Sequence, residues 1–188
     1  MKKLFSILVC LGLTASLASC GCSKGGTPKV SEAEIISPDT LITAEDATSV
    51  AGTALNMTAE GVHIDGSFRT VDFVPTDTNS TAYPISVSIE QFSDSLSVSQ
   101  VWADYENHRL SRAGDAQMIT GVGEDCYVSY PYINVYARGC YLKISGGSGD
   151  NEAQRDMLIN LANRALLVLN EKIPADAVPA MDSGNTIK

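Results

Sequence analysis

His63 and His108 are the only imidazoles in the 188-residue chain, and a histidine base, proton shuttle or metal ligand would have to start from them. His63 stands beside an expected hairpin turn and His108 near the end of an expected helix, so nothing in the pattern brings the two together. The chain contains no H-E-x-x-H, C-x-x-C or G-x-S-x-G, the spacings that would announce a zinc protease, a redox pair or a serine hydrolase. Asp77-Thr78-Asn79-Ser80-Thr81 starts with oxygens at alternate positions, as a calcium loop does. It then places Ala82 where that loop needs glycine and Ser88 where it needs a bidentate glutamate. Gly146-Gly147-Ser148-Gly149 has the glycines of a phosphate cradle without the lysine, and reads as a connector. The expectation is therefore no catalytic, cofactor-binding or metal-binding residue. An enzyme would have to use carboxylates such as Asp72, Glu90 or Glu124 as its acid and base. The remaining candidate is a row of rings, Tyr127, Tyr136 and Tyr141, flanked by Arg138 and Lys143. Aromatic faces beside cations suit a sugar, a peptide or a wall polymer; under a covering helix the same rings would be a second core layer.

These rings lie on a stretch from Gly123 to Ser145 that reads as three strands joined by two tight turns. Arg138-Gly139 suits a two-residue hairpin loop that pairs Ala137 with Cys140, and Pro131-Tyr132 would do the same between Tyr130 and Ile133. Alternation then sorts the side chains. One face collects Cys126, Val128, Tyr130, Ile133, Val135, Ala137, Cys140, Leu142 and Ile144. The other collects the three tyrosines with Ser129, Asn134, Arg138, Lys143 and Ser145. In this register Cys126 and Cys140 both flank Ala137 on strands two apart, about 10 Å from Cα to Cα. A disulfide needs less than about 7 Å, so two buried thiols are expected, although an exported protein could have bonded them.

The remaining elements follow from spacing. Thr43 with Asp46 forms a capping box for a helix over 44–55. Val62 to Val74 reads as a hairpin about Asp65-Gly66, and Ala82 to Phe92 alternates as a strand. Ser97 with Gln100 caps a helix over 98–110 whose anchor is Trp102, the one tryptophan. Gln117 to Gly121 is a short strand. A last helix starts at Asp150 or Asn151, and its stripe of Leu158, Leu161, Ala162, Ala165, Val168 and Leu169 should seat on the apolar face of the meander. The order is α-β-β-β-α-β-β-β-β-α. It predicts an α+β domain: a single, mainly antiparallel sheet of about six or seven strands with three helices packed on it.

The chain opens with two lysines, an apolar run too short to span a bilayer and a small-residue end, the pattern of a secretory signal. Leu17-Ala18-Ser19-Cys20 resembles the lipobox of bacterial surface lipoproteins. The resemblance implies cleavage before Cys20, a diacylglyceryl group on its sulfur, and a protein held on the extracytoplasmic side of the cell membrane; two acyl chains suffice for stable anchoring. Removing residues 1–19 takes two of the 13 basic residues and none of the 22 acidic ones, so the net charge goes from −9 to −11. That balance argues against binding nucleic acid or anionic headgroups through charge. The expected layout is a signal peptide over 1–19, a flexible tether over 20–38, one α+β domain over 39–172 and a disordered tail over 173–188.

Thr43-Ala44-Glu45-Asp46-Ala47, a helix ahead of Gly121-Val-Gly-Glu-Asp-Cys-Tyr127, and a closing meander and helix resemble the small α/β domains of bacterial surface lipoproteins, some with a PsbP-like fold. This resemblance covers most of residues 40–170 and implies the fold more than an activity. The reading is a membrane-anchored, non-catalytic domain that binds a ligand, an envelope protein or a wall polymer. The alternatives are an envelope enzyme built on a carboxylate pair, or an accessory subunit of a membrane complex.

Overall fold

Each helix begins where its sequence supplies a cap. In the computed structural model, which describes residues 35–181, Thr43 and Asp46 close a full capping box on α1 (Ala44–Ala51), and Ser97 and Gln100 close one on α2 (Val98–Ser111). Asn151 caps α3 (Glu152–Lys172) by accepting from the Gln154 N–H at 3.0 Å. Such caps satisfy donors that the first turn leaves open, each worth about 1 kcal/mol. α1 stops earlier than its apolar spacing suggests, because Gly52 takes the left-handed conformation (φ 66°) that ends a helix. Leu55, expected on the helix stripe, instead opens a strand and is buried there.

The strands are β1 (Leu55–Asp65), β2 (Phe68–Pro75), β3 (Ile85–Gln91), β4 (Gln117–Met118), β5 (Asp125–Ser129), β6 (Tyr132–Ala137) and β7 (Cys140–Ser145). They form a single seven-stranded sheet in the order β1-β2-β3-β7-β6-β5-β4, every neighbouring pair antiparallel. The protein is thus an α+β domain with three helices on one antiparallel sheet. α3 lays its stripe on β6 and β7 and meets α1 alongside. Leu158, Leu161, Ala162, Ala165 and Leu169 are fully buried there, as are Ile133, Val135, Leu142 and Ile144 on the strands. Asp46, besides capping α1, pairs with Arg164 and so ties α1 to α3. α2 crosses the opposite face of the sheet.

The β6–β7 hairpin turns on Arg138-Gly139 with Ala137 facing Cys140, as the spacing predicts, and both turn residues have positive φ, 54° and 70°. The β5–β6 hairpin differs by two residues. Ser129 faces Tyr132, so Tyr130 and Pro131 form the loop. A slip of two preserves which face each side chain takes but changes its row. Cys126 therefore faces Val135, not Ala137, and Tyr127 faces Asn134, not Tyr136. The two cysteines remain on non-adjacent strands as buried free thiols. Burial pushes the Cys126 thiol up to about 12 and the Cys140 thiol higher still.

Order begins before Pro38, since the Ile36 N–H donates to Gln91 Oε1 at 2.9 Å and Ile36 is buried. It also continues past residue 172. Ile173 is buried, Ala175–Ala177 form a 3₁₀ turn, and Val178 packs on the core beside Gly139. The expected signal, Cys20 and the tether as far as residue 34, with the tail from residue 182, lie outside the described residues. Among the described residues no helix is long and apolar enough to cross a membrane.

Candidate functional site

The register divides the α2 side of the sheet into three rows of cross-strand neighbours. Nearest the β6–β7 turn, Glu90, Tyr141, Tyr136 and Asp125 stand in line. Next comes a row that crosses all seven strands: His63, Thr70, Ser88, Lys143, Asn134, Tyr127 and Met118. Beyond it lie Asp72, Ser86, Ser145, Tyr132 and Ser129.

α2 roofs the first row. Its Tyr105 ring packs 5.5, 5.8 and 5.3 Å from the rings of Tyr127, Tyr136 and Tyr141, and Trp102 meets Tyr136 edge to face at 4.8 Å. The three tyrosines are consequently 0–2 % exposed. The expected aromatic platform is a second core layer, because the helix carrying the single tryptophan lies across it. Arg138 does not join the tyrosines either. As a turn residue it points back toward α3, where its Nε donates to Asn170 Oδ1 at 2.8 Å, while its backbone N–H donates to Glu124 Oε1. With Glu124 and Asn170 it lines a groove of about 540 Å³ against Leu166 and Leu167. Of the five candidate residues, Lys143 alone stands where a ligand could meet the α2 side of the sheet.

At the far end of α2 a chain of polar contacts runs down into the sheet. The Tyr141 hydroxyl donates to Asn134 Oδ1 at 2.8 Å, and the Tyr127 hydroxyl lies 2.5 Å from His108 Nδ1. Burial, then the nearby Lys143 and Arg112, lower the His108 pKa, so the ring is neutral at pH 7. Burial pushes the Tyr127 hydroxyl up to about 12, so it keeps its proton. With Tyr127 as the donor to Nδ1, His108 carries its own proton on Nε2. The Asn134 Nδ2 group is buried with no acceptor. Lys143 lies beside Asn134 in the row, its Nζ 4.5 Å from the centroid of the Tyr132 ring, and burial followed by Arg112 lowers its pKa. The middle row continues through Ser88 and Thr70, whose hydroxyls are 2.9 Å apart, to His63 at the edge.

The carboxylates considered as an acid and base do not converge. Glu90 is 0 % exposed under α2, and neither of its oxygens has a partner in good geometry. Burial raises its pKa, helped by Asp104 and opposed by the Ser67 hydroxyl. Asp72 lies in the third row, and Glu124 precedes β5, three strands from Glu90 and so about 14 Å across the sheet. The supposed calcium loop is an Asx turn, in which Asp77 Oδ1 accepts from the Asn79 N–H at 2.9 Å. Among the described residues no three of the metal-ligating types come together. Sequence reasoning did not connect His108 with Arg112, whose charge acts on the imidazole. Their four-residue spacing on α2 was the available signal.

No family model matches the chain, and no curated protein or solved structure matches it either.

Proposed function

We propose that this chain is a lipid-anchored extracytoplasmic lipoprotein whose single domain is a non-catalytic binding module. The ligand or envelope partner meets the polar end of the α2 side of the sheet. Support for the location comes from Leu17-Ala18-Ser19-Cys20 at the end of a short apolar run. Support for binding comes from the floor where α2 ends. A sheet face that is neither core nor simply solvated carries Lys143, Tyr132, Ser88, Thr70 and Ser145, all partly or largely buried. The observation that carries the reading is Lys143, a half-buried cation over the Tyr132 ring with no ion-pair partner among the described residues. Glu90, the carboxyl nearest on the same strands, is shut away under the helix, so this floor suits recognition better than proton transfer.

Fractionation tests the anchor: the native chain pellets with membranes, whereas Cys20→Ser stays in the soluble fraction. If the serine variant were as firmly membrane-bound, the lipoprotein reading would fail. Crosslinking in intact envelopes tests the face. A photoreactive residue in place of Ser86 or Ser145 should give a discrete adduct that one at Glu171, on the far helix, does not.

A further inference from the structure

The end of α2 gathers donors without acceptors. His108 stands in the last turn, in contact with Tyr127 and Tyr141 beside the row that holds Lys143 and Asn134, and Arg112 follows one turn on at the C-cap, its charge acting on both His108 and Lys143. Of the six described arginines three find acids, while Arg69, Arg112 and Arg138 do not. Arg109 pairs with Glu106, Arg155 with Glu152 and Asp156, and Arg164 with Asp46. Among the described residues, neither Arg112 nor Lys143 reaches a carboxylate within ion-pair distance, although the chain holds 22 acids against 13 bases. Like charges held close cost free energy that an anion between them would recover. A second observation points the same way: Asn134, 0 % exposed, has a buried Nδ2 with no acceptor, in the same row as Lys143. The inventory is an ammonium, a guanidinium, an imidazole N–H and an amide N–H, all donors.

We propose that Lys143, Arg112 and His108, with Asn134 behind them, form a binding site for an oxyanion, the phosphate or carboxylate group of an extracytoplasmic ligand. The proposal rests on the binding role argued above and names its ligand chemistry. The anion would sit between the Lys143 ammonium and the Arg112 guanidinium and accept from His108 Nε2–H. That N–H is free for the anion in the tautomer in which Tyr127 is the donor to Nδ1. Approach to Asn134 Nδ2 requires the Lys143 side chain to leave the Tyr132 ring, an exchange of a cation–π contact for an ion pair. Asp65, on the β1 side, partly offsets the charge on Lys143 without pairing with it.

The two histidines make the test clean, because each gives its own ring resonances in proton NMR. The groups facing His108 are Tyr127 of β5, Tyr141 and Lys143 of β7, and Arg112 on its own helix. His63, three strands from Lys143 and so about 14 Å away, is an internal control. The full-length protein in detergent is titrated with inorganic phosphate, and separately with acetate, against sodium chloride at equal ionic strength. A saturable upward shift of the His108 midpoint that chloride does not reproduce supports the site, and the more effective anion tells tetrahedral from planar recognition. In Lys143→Gln and Arg112→Gln the affinity should fall at least about tenfold, the loss of one charge-assisted hydrogen bond. In the double variant His108 should titrate higher than in the native protein before any anion is added, and should then not respond. An unmoved His108, or equal responses to chloride and phosphate, overturns the proposal. Neither result bears on whether Cys20→Ser releases the protein from membranes or whether crosslinks form at Ser86.

Discussion

Replacing Glu90 by glutamine should remove most of one slope in the pH dependence of stability. In the folded protein the Glu90 carboxyl is fully buried between β2 and β7 beneath α2, and neither oxygen has a donor in good geometry. Burial, then the Asp104 charge, raises its pKa from the ordinary 4.5, with the Ser67 hydroxyl in opposition. The folded state therefore holds a proton over a range in which the unfolded chain has released it. Stability is at its full value below the unfolded pKa and falls as pH rises toward the folded pKa, by about 1.4 kcal/mol per pH unit. Between pH 5 and 7 the loss from this group is at most about 2.7 kcal/mol. Glutamine keeps the volume and cannot titrate; its amide is left without partners, a cost of about 1–3 kcal/mol that does not vary with pH. The native midpoint should therefore drop further than that of Glu90→Gln from pH 5 to 7, by no more than about 1.4 M at a urea m-value of about 2 kcal/mol/M. Urea unfolding followed by tryptophan emission suits the purpose, since Trp102 of the same helix packs on Tyr136. Parallel midpoints for the two proteins across that range would show that Glu90 ionises as an ordinary surface acid, and the reading of α2 as a sealed roof would fall.

Tyr136→Ala should cost about 3–5 kcal/mol and lower Tm by on the order of 10 °C, because the ring is buried against Trp102 and Tyr105; an unchanged melting curve would restore the platform reading. Tyr105→Phe should be neutral or stabilising by up to about 1 kcal/mol, since it deletes a buried hydroxyl with no partner. Asp46→Asn should cost about 1 kcal/mol at pH 7, chiefly through the cap on α1. Burial alone would raise the Asp46 pKa, but hydrogen bonds with Thr43 and Arg164 hold it below its ordinary value. Its contribution is thus present above the unfolded pKa and lost as pH falls through the folded one, so native and variant melting curves should converge in acid. Mass spectrometry without reduction should find no bond between Cys126 and Cys140, and alkylation of either should require unfolding.

What the residues alone revealed depends on which property each inference used. Parity survived error. The β5–β6 loop was placed one residue off and its pairing two, yet Tyr127, Tyr136 and Tyr141 still came out on the predicted side, because strand alternation repeats every two residues. Row position did not survive, and with it went the row of three tyrosines and the common row of the two cysteines. The start of β1 was hidden by Ala54 and Leu55, which fit a helical stripe as well as a strand; Gly52 carried the stop signal. Arg138 was assigned to a face by alternation, a rule that does not hold within a turn where φ is positive.

Whether the tyrosines form a core or a platform depended on how far a roof extends, and composition is silent on that. α2 has 14 residues and so spans about 21 Å. Its start lies by the β6–β7 turn, where a side chain on Gly139 would strike Val98, and it reaches Tyr127 with His108. Tyr136 and Tyr141, with Tyr127 of the next row, therefore lie under the helix, and Lys143 on that row is left half-buried. Capping and periodicity predicted the length of α2 to within a residue. The direction in which it crosses the sheet is set by ring packing of Trp102 and Tyr105 on three strands that are contiguous only after folding. A helix two turns longer would have closed over Lys143 and Tyr132 as well, and a half-buried lysine would then have faced an apolar ceiling without a counter-charge. The C-cap at Arg112 ends the roof before that cost arises.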